Sequence, residues 1–119
     1  MVYSSYIMAS AELIFKTRNT LETTQGKPIA ISMDLYKLPE PFDPTYPDGY
    51  RFSWIAYEDK EPSNRVLFDC HSPKGPHMHI DGDKEGVRFK WESVAQARSL
   101  FFKTVVDRFG FIPELEGEY

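Results

Sequence analysis

Alternation of apolar and polar positions is cleanest over 29–38. There Ile29, Ile31, Met33 and Leu35 point one way, and Ala30, Ser32, Asp34 and Tyr36 the other, which predicts a strand. Upstream, 11–17 (A-E-L-I-F-K-T) reads as a strand of poorer alternation, and the turn signal Thr24-Gln25-Gly26-Lys27 joins the two as a hairpin. Segments 50–58 and 64–71 make a second hairpin across 59–63. A symmetric closure pairs residues whose numbers sum to about 122. That register sets Trp54 opposite Phe68, Phe52 opposite Cys70 and Ala56 opposite Val66 on one apolar face. The other face then carries Arg51 opposite His71, Ser53 opposite Asp69, and Tyr57 opposite Arg65. The same sorting applies to 77–81 and 87–91 about the turn 82–86. Met78, Ile80, Val87, Phe89 and Trp91 fall on the apolar side, with His77, His79 and Asp81 beside Arg88 and Lys90 on the polar side. Two hairpins read independently thus agree on one greasy face and one histidine-bearing face.

The period changes to that of a helix over 93–109. Ser93 with Gln96 forms a capping-box signal, and Gly110 marks the end, where a Schellman contact of Phe111 with Val106 is expected. Val94, Ala97, Phe101 and Val105 make a core stripe. Leu100, Phe102, Val106 and Phe109 widen it beyond one face, so a homodimer through the helix, using Phe102 and Val106, is expected. Arg98 falls inside this apolar sector, either snorkelling past the sheet or pairing at an interface. The stretch 39–49 holds four prolines and reads as an extended loop pinned to the sheet by Phe42 and Tyr46, a candidate substrate flap. The fold class expected is α+β: an antiparallel sheet of five to six strands with one long C-terminal helix on its apolar face. The chain of 119 residues makes a single domain, with 1–10 and 112–119 weakly ordered.

Composition narrows the functional classes. A net charge of −4 argues against nucleic-acid binding through bulk positive charge, while leaving room for a local basic patch. Aromatic residues stand at 15% and the only cysteine is Cys70, placed by the register among core side chains rather than as a nucleophile. A lone cysteine and no apolar run of membrane-spanning length point to the cytoplasm, without membrane contact. The small-residue start lacks the basic region of a secretory signal.

All three histidines lie within 71–79, around the turn Lys74-Gly75-Pro76. Histidine moves between acid, base and ligand near neutral pH. Cleavage of RNA at the 2'-hydroxyl needs a base, an acid and cations for the charge on phosphorus. His71, His77 and His79 supply the first two on one inferred face with Asp69, and Lys74, Arg51, Arg88 and Lys90 supply the third. Metal binding is the competing chemistry, since His77 and His79 at i, i+2 share a strand face. No zinc-finger spacing accompanies them, and the neighbouring cations would repel a metal ion, so neither a metal nor any other cofactor is expected. The plainest alternative is a solvated edge whose imidazoles hydrogen-bond Asp69 and Asp81, in a protein-interaction module without catalysis.

The run R-V-L-F-D-C-H-S-P-K-G-P-H-M-H-I resembles the central motif of the TumE-type toxins of bacterial toxin–antitoxin pairs. The matching elements are Phe68-Asp69, then Lys74-Gly75, then His77-x-His79, with the R-F-S-W strand before and one helix after. The resemblance covers roughly 50–110. The chain departs from the motif at Cys70, where asparagine is expected, and at Pro76, where aspartate is expected. What the resemblance implies is a toxin's role with a cognate antitoxin as partner; it implies no particular reaction.

Overall fold

The computed structural model describes residues 10–119; most of the N-terminal segment expected to be weakly ordered lies outside the described residues. Each strand pairs with the next along the chain, giving a six-stranded antiparallel sheet in the order β1-β2-β3-β4-β5-β6. The strands are β1 (Glu12–Glu22), β2 (Pro28–Lys37), β3 (Tyr50–Glu58), β4 (Glu61–His71), β5 (Gly75–Ile80) and β6 (Val87–Arg88). One helix, α1 (Val94–Phe109), packs across β3 and β4 on the apolar face. The α+β class expected from the sequence is the one observed.

The registers show why the faces sort. Phe52 pairs with Cys70, Trp54 with Phe68 and Ala56 with Val66, as symmetric closure requires. At its end the hairpin tightens: Glu58 pairs with Glu61 across Asp59-Lys60, and a bulge absorbs the difference. The outer hairpin departs further from expectation. β6 keeps two pairs, His77 with Arg88 and Met78 with Val87, because Phe89 leaves the strand to become a core residue. Its N–H still donates to the Pro76 carbonyl at 3.2 Å. Val87, expected on the apolar face, is 60% exposed.

Beneath the helix, Trp54, Phe68 and Phe101 are fully buried. Phe101 meets both partners edge-on, with ring centroids at 5.8 and 5.3 Å. Burying each such side chain contributes about 1.5–3 kcal/mol, and the edge-to-face geometry somewhat more. The Trp54 indole N–H donates to the Asp34 carbonyl at 2.7 Å, so the largest core residue leaves no orphaned donor.

Both helix ends differ from the sequence expectation in detail. Ser93 accepts from the Gln96 N–H at 3.0 Å, but the Gln96 side-chain oxygen is buried without a partner, so only one arm of the capping box forms. Gly110 has φ 110° and ψ 169°, which sends the chain out extended rather than into a Schellman turn. Phe111 is accordingly left 39% exposed.

The tail departs from its sequence expectation. Residues 112–119 were expected to be weakly ordered, yet Ile112 is fully buried and Leu115 is 5% exposed, both within the main core. A short 3-10 turn, Pro113–Leu115, folds them back. Arg98, the cation in the apolar sector, reaches this tail: its guanidinium donates to Glu118 at 2.8 Å and lies 4.7 Å from the Phe102 ring centre. Phe102 is thereby 5% exposed within one chain, so covering it needs no second subunit, and Val106 is half-buried.

Candidate functional site

Cross-strand pairing brings the chemistry-bearing side chains onto the sheet face opposite α1. Lys16, Asp34, Ser53, Asp69, His77 and Arg88 form one row across the six strands. In the adjacent row His79 pairs with Leu67, which pairs with Ile55. His71 ends β4, and its Nε2 lies 3.5 Å from Asp69 Oδ2. His79 Nε2 lies 3.8 Å from the other oxygen, Asp69 Oδ1. Asp69 therefore sits between two imidazoles, with His77 directly across from it.

The backbone fixes the tautomers. His77 Nδ1 lies 3.0 Å from the Gly75 carbonyl, and His79 Nδ1 lies 3.0 Å from the Asp83 carbonyl. A carbonyl only accepts, so each Nδ1 carries the proton and donates, and each neutral ring presents Nε2 as its basic atom. The two rings lie 6.4 Å apart, inclined by 22°. Asp69 Oδ1 is buried and has no hydrogen-bond partner, leaving its negative charge as a counter-charge for an imidazolium at His79.

His79 is less open than its strand position implies, with 13% of its side chain exposed against 52% for His71. Gly86 is the reason. It has φ 73°, and a Cβ there would lie 2.5 Å from the His79 ring. The turn after β5 can cover the imidazole only because that residue has no side chain. Gly86→Ala is expected to lower stability by about 1–3 kcal/mol through backbone strain and collision, and to impair His79 without removing it. Thermal unfolding together with the histidine proton spectrum would check both effects.

The remaining candidates divide. Arg51 lies over the Tyr36 ring at 5.0 Å and lines a depression of about 340 Å³ with Asp34, Tyr36, Ser53, Asp69 and His71. Arg88 stands across from His77, and its guanidinium donates to the Lys74 carbonyl at 3.1 Å. Lys74 is exposed in the turn itself. Lys90, expected beside the histidines, lies beyond β6 with Glu92 3.9 Å away, because the strand ends at Arg88. Asp81 also leaves the histidines. Its positive φ of 56° turns it toward α1, where Oδ1 accepts from Arg108 Nε at 3.1 Å and the Arg65 N–H at 3.0 Å. Desolvation alone would raise the Asp81 carboxyl; the Arg65 N–H and the Arg108 guanidinium outweigh it and hold the group below the ordinary carboxylate range.

Cys70 is buried on the opposite face, and burial, aided by the Asp69 charge, pushes its thiol up to about 12. It is not an activated nucleophile. Among the described residues no group of three or more His, Cys, Asp or Glu side chains is gathered to hold a metal ion.

The proline-rich loop holds the turn between β4 and β5. The Ser72 N–H donates to Tyr46 Oη at 3.1 Å, and its hydroxyl donates to Asp43 Oδ2 at 2.8 Å. The Thr45 N–H, then the Ser72 and Thr45 hydroxyls, hold the Asp43 carboxyl below its ordinary value. These residues brace the turn. Sequence reasoning found neither this brace nor the Tyr36–Arg51 stack nor the Gly86–His79 contact; only the two glycines bounding 82–86 hinted at the last.

No family model, no curated protein and no solved structure matches the chain. No described helix is long and apolar enough to cross a membrane.

Proposed function

We propose that this chain cleaves RNA by metal-independent acid–base chemistry, in the role of a TumE-like toxin held in check by a cognate antitoxin in the cytoplasm. The observation that carries the reading is the pair of imidazoles at His77 and His79. Both are fixed with Nδ1 on a backbone carbonyl, both present Nε2 on one face, and a carboxylate stands beside one of them. His77 Nε2 takes the proton of the 2'-hydroxyl as its oxygen bonds to phosphorus. The bond from phosphorus to the 5'-oxygen breaks, and that oxygen leaves with a proton from the His79 imidazolium. The products are a 2',3'-cyclic phosphate and a 5'-hydroxyl. Asp69 supplies a counter-charge to the His79 imidazolium, and Arg51, Arg88 and Lys74 are the cations available to the phosphoryl oxygens.

The test is an RNA oligonucleotide bearing one 2'-deoxy position. Cleavage is expected at ribose positions only, with unchanged rate in the presence of chelators. Cleavage after the deoxy residue, or loss of activity on chelation, would reject the mechanism.

A second reading, a non-catalytic interaction module, is favoured by one observation. Among the described residues strand β1 is a sheet edge and exposes Leu13 at 52% and Ile14 at 47%, an edge that a partner's strand can extend. Growth inhibition that persists in a His77→Ala, His79→Ala double variant would favour it.

A further inference from the structure

The polar face of the sheet carries more than the histidines. Lys16, Arg18, Arg51, Arg65 and Arg88 all project from it and are exposed. Two carboxylates on the same face are turned to internal work, while Glu22 at the end of β1 is exposed. Asp34 Oδ1 accepts the Ser53 N–H at 2.9 Å, and Asp69 lies between His71 and His79. A protein of net charge −4 therefore presents one positive face, and that face contains the proposed site. Apolar and aromatic side chains lie among the cations as well: Ile55, Leu67, Tyr36 and Tyr57 are each half-buried on this face.

We infer that the substrate is single-stranded RNA, bound extended across the sheet from β5 to β1, with a base about two nucleotides from the scissile phosphate stacked at the Tyr36–Arg51 shelf. This rests on the cleavage reading above and assigns its substrate class. Unpaired bases have free faces for Tyr36, the Arg51 plane and the Ile55–Leu67 strip, whereas a duplex keeps its bases stacked inside and offers only backbone and groove edges. Four strand spacings separate β5 from β1, about 19 Å, so the strand spans several nucleotides with Arg18 at the far end and Arg65 flanking. The combination of a cationic track and aromatic platforms is how sequence-tolerant single-strand binding is built.

The experiment measures binding to the full chain carrying His77→Ala, which removes turnover, using 12-nucleotide RNA probes in single-stranded and self-complementary hairpin form. The single strand is expected to bind at least about tenfold more tightly than the hairpin. Arg18→Ala and Arg65→Ala are each expected to reduce the slope of log affinity against log salt by about 0.7, one phosphate apiece. Tyr36→Ala is expected to weaken binding about fivefold or more, with Tyr36→Phe restoring it, because the ring rather than the hydroxyl does the stacking. Equal affinity for hairpin and single strand, or an unchanged salt slope in both arginine variants, overturns the inference. If the parent chain cleaves hairpin stems as fast as single strands, the inference fails while the cleavage reading stands. If the inactive variant binds single strands as described but the parent cleaves none, the cleavage reading fails while the binding face stands.

Discussion

Replacing His77 or His79 by alanine is expected to lower RNA cleavage by about a hundredfold or more, the usual cost of losing a general acid or base. The two variants separate in stability. His77 is half-buried and loses only its bond to the Gly75 carbonyl, so its removal is expected to cost about 0.5–1 kcal/mol. His79 is 13% exposed, packs on Gly86 and is bonded to the Asp83 carbonyl, so its loss is expected to cost about 1–2 kcal/mol. Denaturant unfolding beside a cleavage assay checks both. Full activity in His77→Ala would remove the base from the mechanism, whatever happened at His79.

Ile112→Ala is expected to destabilise the fold by about 2–5 kcal/mol, the range for emptying a fully buried aliphatic site. The residue lies past the helix, in a segment whose composition reads as a frayed acidic tail, yet it is fully buried. It belongs to the cluster that also holds Phe102, Val105 and Leu115. An unfolding midpoint unchanged from the parent would show that the tail adds nothing to the core. Arg98→Ala offers a graded comparison, since its pair with Glu118 is partly exposed and worth roughly 0.2–1 kcal/mol.

The sheet was legible because period-2 patterning and turn length together specify a register, and a one-residue slip would have turned Trp54 and Phe68 outward. The same sorting puts His77 and His79 on the face that carries Asp69, whereas the direct pairing of His77 with Asp69 belongs to the β4–β5 ladder, which no turn-length argument specifies. What stayed hidden depended on single backbone angles and distant contacts. Asp81 alternates correctly with His77 and His79, but its positive φ delivers it to Arg108 on the helix. Lys90 alternates correctly with Arg88, but the ladder stops between them as Phe89 enters the core. Ile112 and Leu115 carry no period that a sequence pattern can detect; their burial follows from where Gly110 directs the chain. The brace between Asp43, Tyr46 and Ser72 joins residues far apart in sequence, beyond what local spacing can reveal.

The shortness of β6 also sets how the region around His79 fluctuates. Two residue pairs join β5 to β6, while six join β5 to β4. Excursions that lift the 82–88 segment break the smaller set and leave the inner ladder, with Asp69 and the histidine backbone, in place. Local opening of this kind draws on far less free energy than global unfolding. Amide protons of the outer segment should therefore exchange with solvent well ahead of those in β3 and β4. Access of large solutes to the imidazole beneath Gly86 is expected to follow that opening, on a scaffold that stays folded.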